Sequence, residues 1–467
     1  MTDPLVELRA IAPDAWLVGG ALRDRLLERT TDDFDVVIPP AGDRSVERTA
    51  RALGGAAGGV AFALSDAFGA WRVVDHGRHW QVDLTRLEGE TIESDLGRRD
   101  LTINAIAQRL AADAPLIDPS GGLADLDAHR LRAVSDDAFA RDPLRTMRLA
   151  RLAAELAFAV EPATLALARI SAAGLASVSV ERVFAELRRL LSSDRALDGL
   201  ELMDAAMITG IVIPELAALR GIEQSRFHHL DVYDHTRAVL AETIALQADP
   251  EPVFGAQTPV LQAFLAAPLA NDLTRGQALR FGALLHDIAK PQTRDMTPEG
   301  RVTFMRHDVA GADLAAGILA RLRASERLSE YVAALTRHHL RLGFLVHRMP
   351  LDRREVYRYL DVCSPVAVDV TVLSVADRLA TRGDNAERAI ARHLELARGL
   401  LAAGLDWQAD PPRPPVRGDE LAAALAIRPG PRLGELLHEL EEAAYAGEVS
   451  SREEAIAYAR QRVDRDQ

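Results

Sequence analysis

The sequence predicts an α+β protein, with a small mixed sheet near the N-terminus and helices from there to the end. Three observations lead to this. All strong strand signals fall before about residue 135. From Asp142 onward the apolar period turns helical, as at Leu149, Leu152 and Leu156. Aromatic residues are only 5 % of the chain while Ala, Leu and Arg abound, which favours helix.

Trp16–Val18 reads as a short strand, broken by Gly19 and Gly20 before a helix over Ala21–Leu27. Phe34–Ile38 is a second strand, ended by Pro39-Pro40. Trp71–Val74 and Trp80–Leu84 follow, the latter alternating Trp80, Val82 and Leu84 against Gln81 and Asp83. Glu181–Leu191 is a helix with Val183, Leu187, Leu190 and Leu191 inside. Ala248–Ala270, rich in Pro and Ala, reads as a loop or insertion, and the run from Asp410 to Pro415 as a stiff linker. At 467 residues the chain exceeds one core. We divide it at 1–135, 136–220, 221–400 and 401–467.

The single cysteine, Cys363, excludes an internal disulfide framework and a Cys-based zinc site. The N-terminus does not read as a signal peptide, and no run approaches the ~20 apolar residues needed to span a bilayer. The expectation is a cytoplasmic protein with no membrane partner. The net charge of −14 argues against nucleic acid in bulk. A local basic strip could overcome it. Arg98, Arg99, Arg141, Arg145, Arg148 and Arg151, with Arg182, Arg188 and Arg189, could supply one.

Asp33 and Asp35 open a strand, where residues i and i+2 face the same way. They can share one Mg²⁺ or two, with Asp83 as a third carboxylate from another strand. Gly19-Gly20 lies between strand and helix, where bare N–H groups can cradle phosphate, and Arg23 follows on the first turn. Taken alone, the acid pair reads as readily as a solvated strand end, and the glycines as a tight turn.

The order of motifs resolves this. Leu17-Val18-Gly19-Gly20-Ala21-Leu22-Arg23-Asp24, then Asp33-Phe34-Asp35, resembles the opening of class II CCA-adding enzymes and bacterial poly(A) polymerases. These belong to the polymerase-β nucleotidyltransferase superfamily. Arg98-Arg99-Asp100-Leu101-Thr102-Ile103-Asn104-Ala105-Ile106 is similar to the second family motif. Asp118-Pro119 with Gly121-Gly122 and Asp125-Leu126 is similar to the third, and Asp142-Pro143-Leu144-Arg145-Thr146-Met147-Arg148 to the fourth. The resemblance implies a polymerase-β-type head, with Asp33 and Asp35 holding Mg²⁺. It implies that Arg23, Arg99, Asp100 and Asn104 touch ribose and triphosphate. It assigns Asp142 and Arg145 to the Watson–Crick edge of the base, with Arg148 neutralising phosphate. An i, i+3 pair shares a helix face, and its acceptors and donors suit C and A.

Two departures stand out. Arg141 replaces the usual acid before Asp142, and the stretch from Asp83 to Arg98 is short. In full CCA-adding enzymes a flexible loop there helps switch the pocket from CTP to ATP. Relatives without it tend to add only two cytidines, so the short stretch points to CC addition.

A second constellation comprises His235, His286-Asp287 and Asp377. Imidazoles with carboxylates suit Mn²⁺, Ni²⁺, Fe²⁺ or Mg²⁺. Residue by residue they resemble the HD phosphohydrolases, with His307 and His338 at additional family positions for a second metal or phosphate. HD modules fused to tRNA nucleotidyltransferases are similar to phosphatases and 2′,3′-cyclic phosphodiesterases, which implies repair of blocked 3′ ends. The segments around Val416, Pro429 and Gly447 resemble the RNA-contacting helical tail of that family. The expected partners are a tRNA lacking its 3′ CCA, CTP and ATP. Full CCA addition, a poly(A) polymerase and an RNA-binding protein with relic metal sites are the alternatives.

Overall fold

The computed structural model describes residues 3–40, 42, 44–65, 69–77, 79–224, 230–381 and 386–465. It divides into two compact units, Met1–Val212 and Ile213–Gln467.

The first unit is built on seven strands: β1 (Trp16–Val18), β2 (Asp33–Ile38), β3 (Gly59–Ser65), β4 (Ala70–Asp75), β5 (Gln81–Arg86), β6 (Ala107–Arg109) and β7 (Leu116–Ile117). Their order is β3-β4-β5-β2-β1-β6-β7. The sheet is mixed: β2 and β5 run parallel, the other neighbours antiparallel. Along β2 Asp33 stands exposed at the start and Asp35 is half-buried, while Val36, Val37 and Ile38 are buried. Apolar burial thus anchors the strand and leaves its acidic end open. One face packs Trp16, Val18, Val37, Ile92 and Leu96 into a core. Helix α1 (Gly19–Leu26) leaves β1 without a loop, because Gly19 takes φ +68°. The head also holds helices α2 (Ser45–Ala57) and α3 (Ile92–Leu96). After the sheet, α4 (Leu144–Leu156) buries Leu149 and Leu152 and stops at left-handed Ala157, while α5 (Val180–Ser192) buries Val183, Leu187, Leu190 and Leu191.

The second unit is helical. Its longer helices include α6 (Val232–Ala248), α7 (Arg275–Leu285), α8 (His307–Arg321), α9 (Glu326–His338), α10 (Ala367–Ala380) and α11 (Ala386–Ala409). A Thr274/Gln277 capping box starts α7. Helices α7 and α10 are buried almost all round, as central helices must be. The tail helices α12 (Gly418–Leu425), α13 (Pro431–Ala446) and α14 (Arg452–Arg465) close over Leu421, Leu433, Leu436 and Leu440.

Three expectations need correction. β3 was not foreseen. Ala248–Ala270 is not a loop: it holds helices Glu251–Phe254 and Thr258–Ala266 and the strand Pro268–Ala270. Both helices carry Pro at their first positions, where its missing N–H costs nothing. Strands also occur after residue 135, as ribbons Pro268–Ala270 with Leu273–Thr274 and Arg294–Met296 with Val302–Phe304. Among the described residues, no single helix is long and apolar enough to cross a membrane.

Candidate functional site

The open end of the head sheet forms a cleft of about 1010 Å³. Gly20, Arg23, Asp33, Asp35, Asp83 and Arg148 are among its walls. Asp35 on β2 lies directly opposite Asp83 on β5. Burial lifts the Asp35 carboxyl above its ordinary range; Arg99 opposes this, and the Asp33 and Asp83 charges add to it. Like charges gathered this way are relieved by a divalent cation, so the acids fit Mg²⁺. Their oxygens do not converge within 4.8 Å as those of the second site do. Mg²⁺ takes few protein ligands and keeps places for water and phosphate, so two of these carboxylates are enough to hold it.

Asp83 is not free. Its two oxygens receive Nε and a terminal nitrogen of Arg72, at 2.6 and 2.7 Å. Sequence reasoning missed Arg72, because only the β4–β5 register places it opposite Asp83.

A relay of polar groups runs behind the cleft. Arg23 donates to Asn104 Oδ1 at 2.8 Å, Asn104 donates to Asp100 Oδ1 at 3.0 Å, and Arg148 Nε lies 3.0 Å from Asp100 Oδ2. Burial would raise Asp100, but Arg148 and the hydrogen bonds outweigh it and hold the carboxyl below the usual range. Asp100 and Asn104 therefore orient two arginines of the cleft. Arg99 pairs with Asp95 at 3.2 Å.

The fourth motif differs from expectation. Asp142 does not share a helix face with Arg145: it is extended, just before α4. Its carboxylate accepts from Arg182 at 2.9 Å. Arg145 donates to the carbonyls of Arg98, Arg99 and Ala138 at 2.8, 3.1 and 2.9 Å. Pro143 explains the break, since it disfavours helical backbone in the residue before it. The basic strip is also largely compensated. Arg98 pairs with Glu88, Arg141 with Asp137, Arg151 with Glu186 and Arg189 with Glu155.

In the second unit, α6 supplies His235, the end of α7 supplies His286 and Asp287, and α10 supplies Asp377. His235 Nε2 lies 3.1 Å from Asp377 Oδ1 and 3.7 Å from Asp287 Oδ2. His286 Nε2 lies 3.2 Å from Asp287 Oδ2, and His307 Nε2 lies 3.3 Å from Asp287 Oδ1. Burial raises the Asp287 carboxyl, yet His286 and Lys290 hold it well below the ordinary range; Lys290 Nζ stands at 2.6 Å. Burial opposes the His286 imidazolium, but Asp287 outweighs it and raises that pKa.

His338 does not join this cluster. It sits on the outer side of α9, its Nδ1 accepting from Arg341 Nε at 3.1 Å. His339 joins instead, 2 % exposed, with Nε2 at 3.8 Å from Asp287. The signal was present in the sequence: His339 continues the buried face of Val332, Leu335 and Thr336. His228 and His229, neighbours of the first motif, lie outside the described residues.

His286, His307 and His339 each spend Nδ1 on a backbone carbonyl, of Ala283, Phe304 and Thr336, at 2.9, 2.7 and 2.6 Å. Those bonds put a hydrogen on Nδ1 and turn each Nε2 toward Asp287, where the neutral ring offers a lone pair to a metal. His307 and His339 bring two such nitrogens within 3.3 Å. Two lone pairs cannot hydrogen-bond each other, so the arrangement fits cations. Two triads, His235/His286/Asp287 and Asp287/His307/His339, share the aspartate.

Three family models match parts of the chain. Residues 15–132 match the poly A polymerase head domain, residues 157–219 the probable RNA and SrmB-binding site of polymerase A, and residues 259–382 the HD domain. An A-adding tRNA nucleotidyltransferase of Deinococcus radiodurans is 35 % identical, over 96 % of this chain and 95 % of that one. A CC-adding tRNA nucleotidyltransferase of Thermus thermophilus is also 35 % identical, over 95 % and 93 %. A Thermotoga maritima CCA-adding enzyme complexed with tRNA shares the fold, with TM-score 0.62 at 17 % identity over 99 % and 96 % of the two chains. With its carboxylate-lined head, its neck and its histidine-aspartate cluster, the chain belongs to the tRNA nucleotidyltransferases that carry an HD domain.

Proposed function

We propose that this protein adds two cytidylates to the 3′ end of a tRNA lacking CCA, and that its HD domain clears blocked 3′ ends by phosphoester hydrolysis. The observation that carries the first part is the cleft in which Asp33, Asp35 and Asp83 stand on adjacent strands. In the reaction the RNA 3′ oxygen bonds to the α-phosphorus of CTP, the bond to the β-phosphate oxygen breaks, and pyrophosphate leaves. Asp33 and Asp35 would hold Mg²⁺, which would supply Lewis-acid activation of the attacking hydroxyl and charge neutralisation on the leaving group. Arg23 and Arg148, kept in place by Asn104 and Asp100, face the triphosphate. Gly19 and Gly20 let it approach the backbone. Asp142, oriented by Arg182, and Arg145 read the base.

The CC reading is supported by the short link between β5 and α3, only Leu87 to Thr91. A second reading, addition of the terminal adenosine alone, is favoured by the equally similar A-adding relative. The test is product length at single-nucleotide resolution, with Mg²⁺, CTP and ATP. Two added cytidines on a transcript lacking CCA support the proposal. Three residues mean full CCA addition, and a long adenosine run means a poly(A) polymerase. One adenosine, added only to a transcript already ending in CC, means A addition. No extension of any transcript would overturn the assignment.

For the HD domain, His235, His286, Asp287 and Asp377 would hold one divalent ion such as Mn²⁺, Ni²⁺ or Mg²⁺. Asp287, His307 and His339 would hold another. A metal held there would supply a nucleophilic water by lowering its pKa. Lys290, beside Asp287, adds a cation for the phosphate. The substrates proposed are a 3′-phosphate and a 2′,3′-cyclic phosphate. The four-part division at 135, 220 and 400 is proposed as head, neck, HD domain and tail.

A further inference from the structure

We infer that Arg72 is a positioning residue of the transfer site, gripping Asp83 so that the third carboxylate faces Asp35 and setting how tightly the site holds its divalent ion. This rests on the nucleotidyl-transfer reading, and none of the family motifs contains Arg72.

The sheet register carries the argument. Phe62 on β3 opposes Arg72 on β4, Arg72 opposes Asp83 on β5, and Asp83 opposes Asp35 on β2. Residues paired across strands share a face. The four side chains therefore form one row, and that row lines the cleft. Within it Arg72 meets Asp83 as a planar fork on both oxygens, at 2.6 and 2.7 Å. The pair is part-exposed, 30 % and 21 % by side chain. An ion pair so open to water adds little to folding. Its value lies in geometry and charge. The fork uses one lone pair on each Asp83 oxygen and fixes the carboxylate plane, leaving the remaining lone pairs in a set direction. It also places a permanent positive charge beside three carboxylates. With Arg99 and Arg148, which act on Asp35, that charge helps the acids stand together before any metal binds, and it opposes the metal once it arrives.

Two consequences separate this role from plain support. Arg72→Met should bind Mn²⁺ in the head more tightly, by roughly three- to tenfold, because a repelling charge has gone. The same variant should add cytidylate roughly tenfold or more slowly, because Asp83 is free to turn. Arg72→Lys keeps the charge and loses the fork, so its Mn²⁺ affinity should stay near wild type while its rate stays low. Since Arg72 acts through Asp83, Arg72→Met added to Asp83→Asn should cause no further loss of rate.

The experiment is Mn²⁺ binding by electron paramagnetic resonance on the full chain, beside single-turnover extension of a tRNA transcript. Subtracting the isotherm of the Asp33→Ala/Asp35→Ala protein isolates the head site from the HD site. Thermal melting confirms that each variant is folded, and Arg72→Lys carries the test if Arg72→Met is not. Unchanged or weaker Mn²⁺ binding in Arg72→Met would overturn the inference. So would a rate loss that multiplies with that of Asp83→Asn, or an Arg72→Lys protein as fast as wild type. A wild-type protein that binds Mn²⁺ in the head but extends no RNA would instead sink the transfer reading, and the binding comparison would still decide the charge effect of Arg72.

Discussion

Gly19 shows how one missing Cβ shapes the cleft. Its φ is +68°, and a Cβ there would stand 2.7 Å from Asp35 Oδ2 and 3.1 Å from an Arg99 terminal nitrogen. Gly19→Ala therefore meets backbone strain and a side-chain clash together. We expect it to cost about 1–2 kcal/mol of stability in urea unfolding. Nucleotide addition should fall far more, by roughly a hundredfold in single-turnover assays, because Asp35 must move. A variant that loses stability but keeps its rate would show that Asp35 has room to adjust. The glycine pair was legible in the sequence as a turn. Its contact with Asp35 was not, since it depends on Val18 pairing with Asp35 across β1 and β2. Arg72 escaped for the same reason. For the fourth motif, an i, i+3 spacing suggested one helix face, but Pro143 ends that logic by keeping Asp142 extended.

At the level of elements, periodic apolar runs gave the neck helices well, because burial on one face leaves a mark in the sequence. β3 left little mark: Gly59-Val-Ala-Phe-Ala-Leu-Ser is an edge strand whose apolar residues Val60, Phe62 and Leu64 stay half exposed. Side chains between two packed helices also hide from pattern reading, and His393 is one. It lies on α11 at 6 % exposure, its Nε2 3.2 Å from Ser374 Oγ on α10. Burial pushes its pKa down to about 4. In the unfolded chain the imidazole titrates near 6.5, so between these values the unfolded state binds the extra proton. Stability from the neutral ring is thus whole above about pH 6.5 and is lost as pH falls toward 4. His393→Gln should remove on the order of 2 kcal/mol of that acid loss. Urea midpoints at pH 7 and pH 4.5 measure it. The difference between wild type and variant isolates His393, because His339 is also pushed down to about 4 by burial and shifts both proteins alike. Equal acid losses in the two proteins would refute the assignment.

On the scale of the whole molecule, the two metal-suited sites draw on separate stretches of chain: the head cleft on Met1–Val212, the histidine cluster on Ile213–Gln467. Each unit has its own buried core, so removing charges in one should leave the other folded. Bulk charge misled here: a net −14 pointed away from RNA, although the family is defined by acting on it. Many arginines of the first unit are matched locally by acids, so formal charge says little about which surfaces meet phosphate. The prediction at this scale is a double dissociation. Asp33→Ala with Asp35→Ala should reduce nucleotide addition by about a thousandfold or more and leave release of phosphate from a 3′-phosphorylated RNA unchanged. Asp287→Asn should do the reverse. Asn keeps the volume of Asp, so packing around His286 and Lys290 survives while the charge shared by both metal triads disappears. Both activities are to be measured on each purified full-length protein, with Mg²⁺ for addition and Mn²⁺ or Ni²⁺ for hydrolysis. Loss of both activities in one folded variant would mean a single shared centre. Hydrolysis lost with the head acids and kept with Asp287→Asn would move that chemistry into the head cleft.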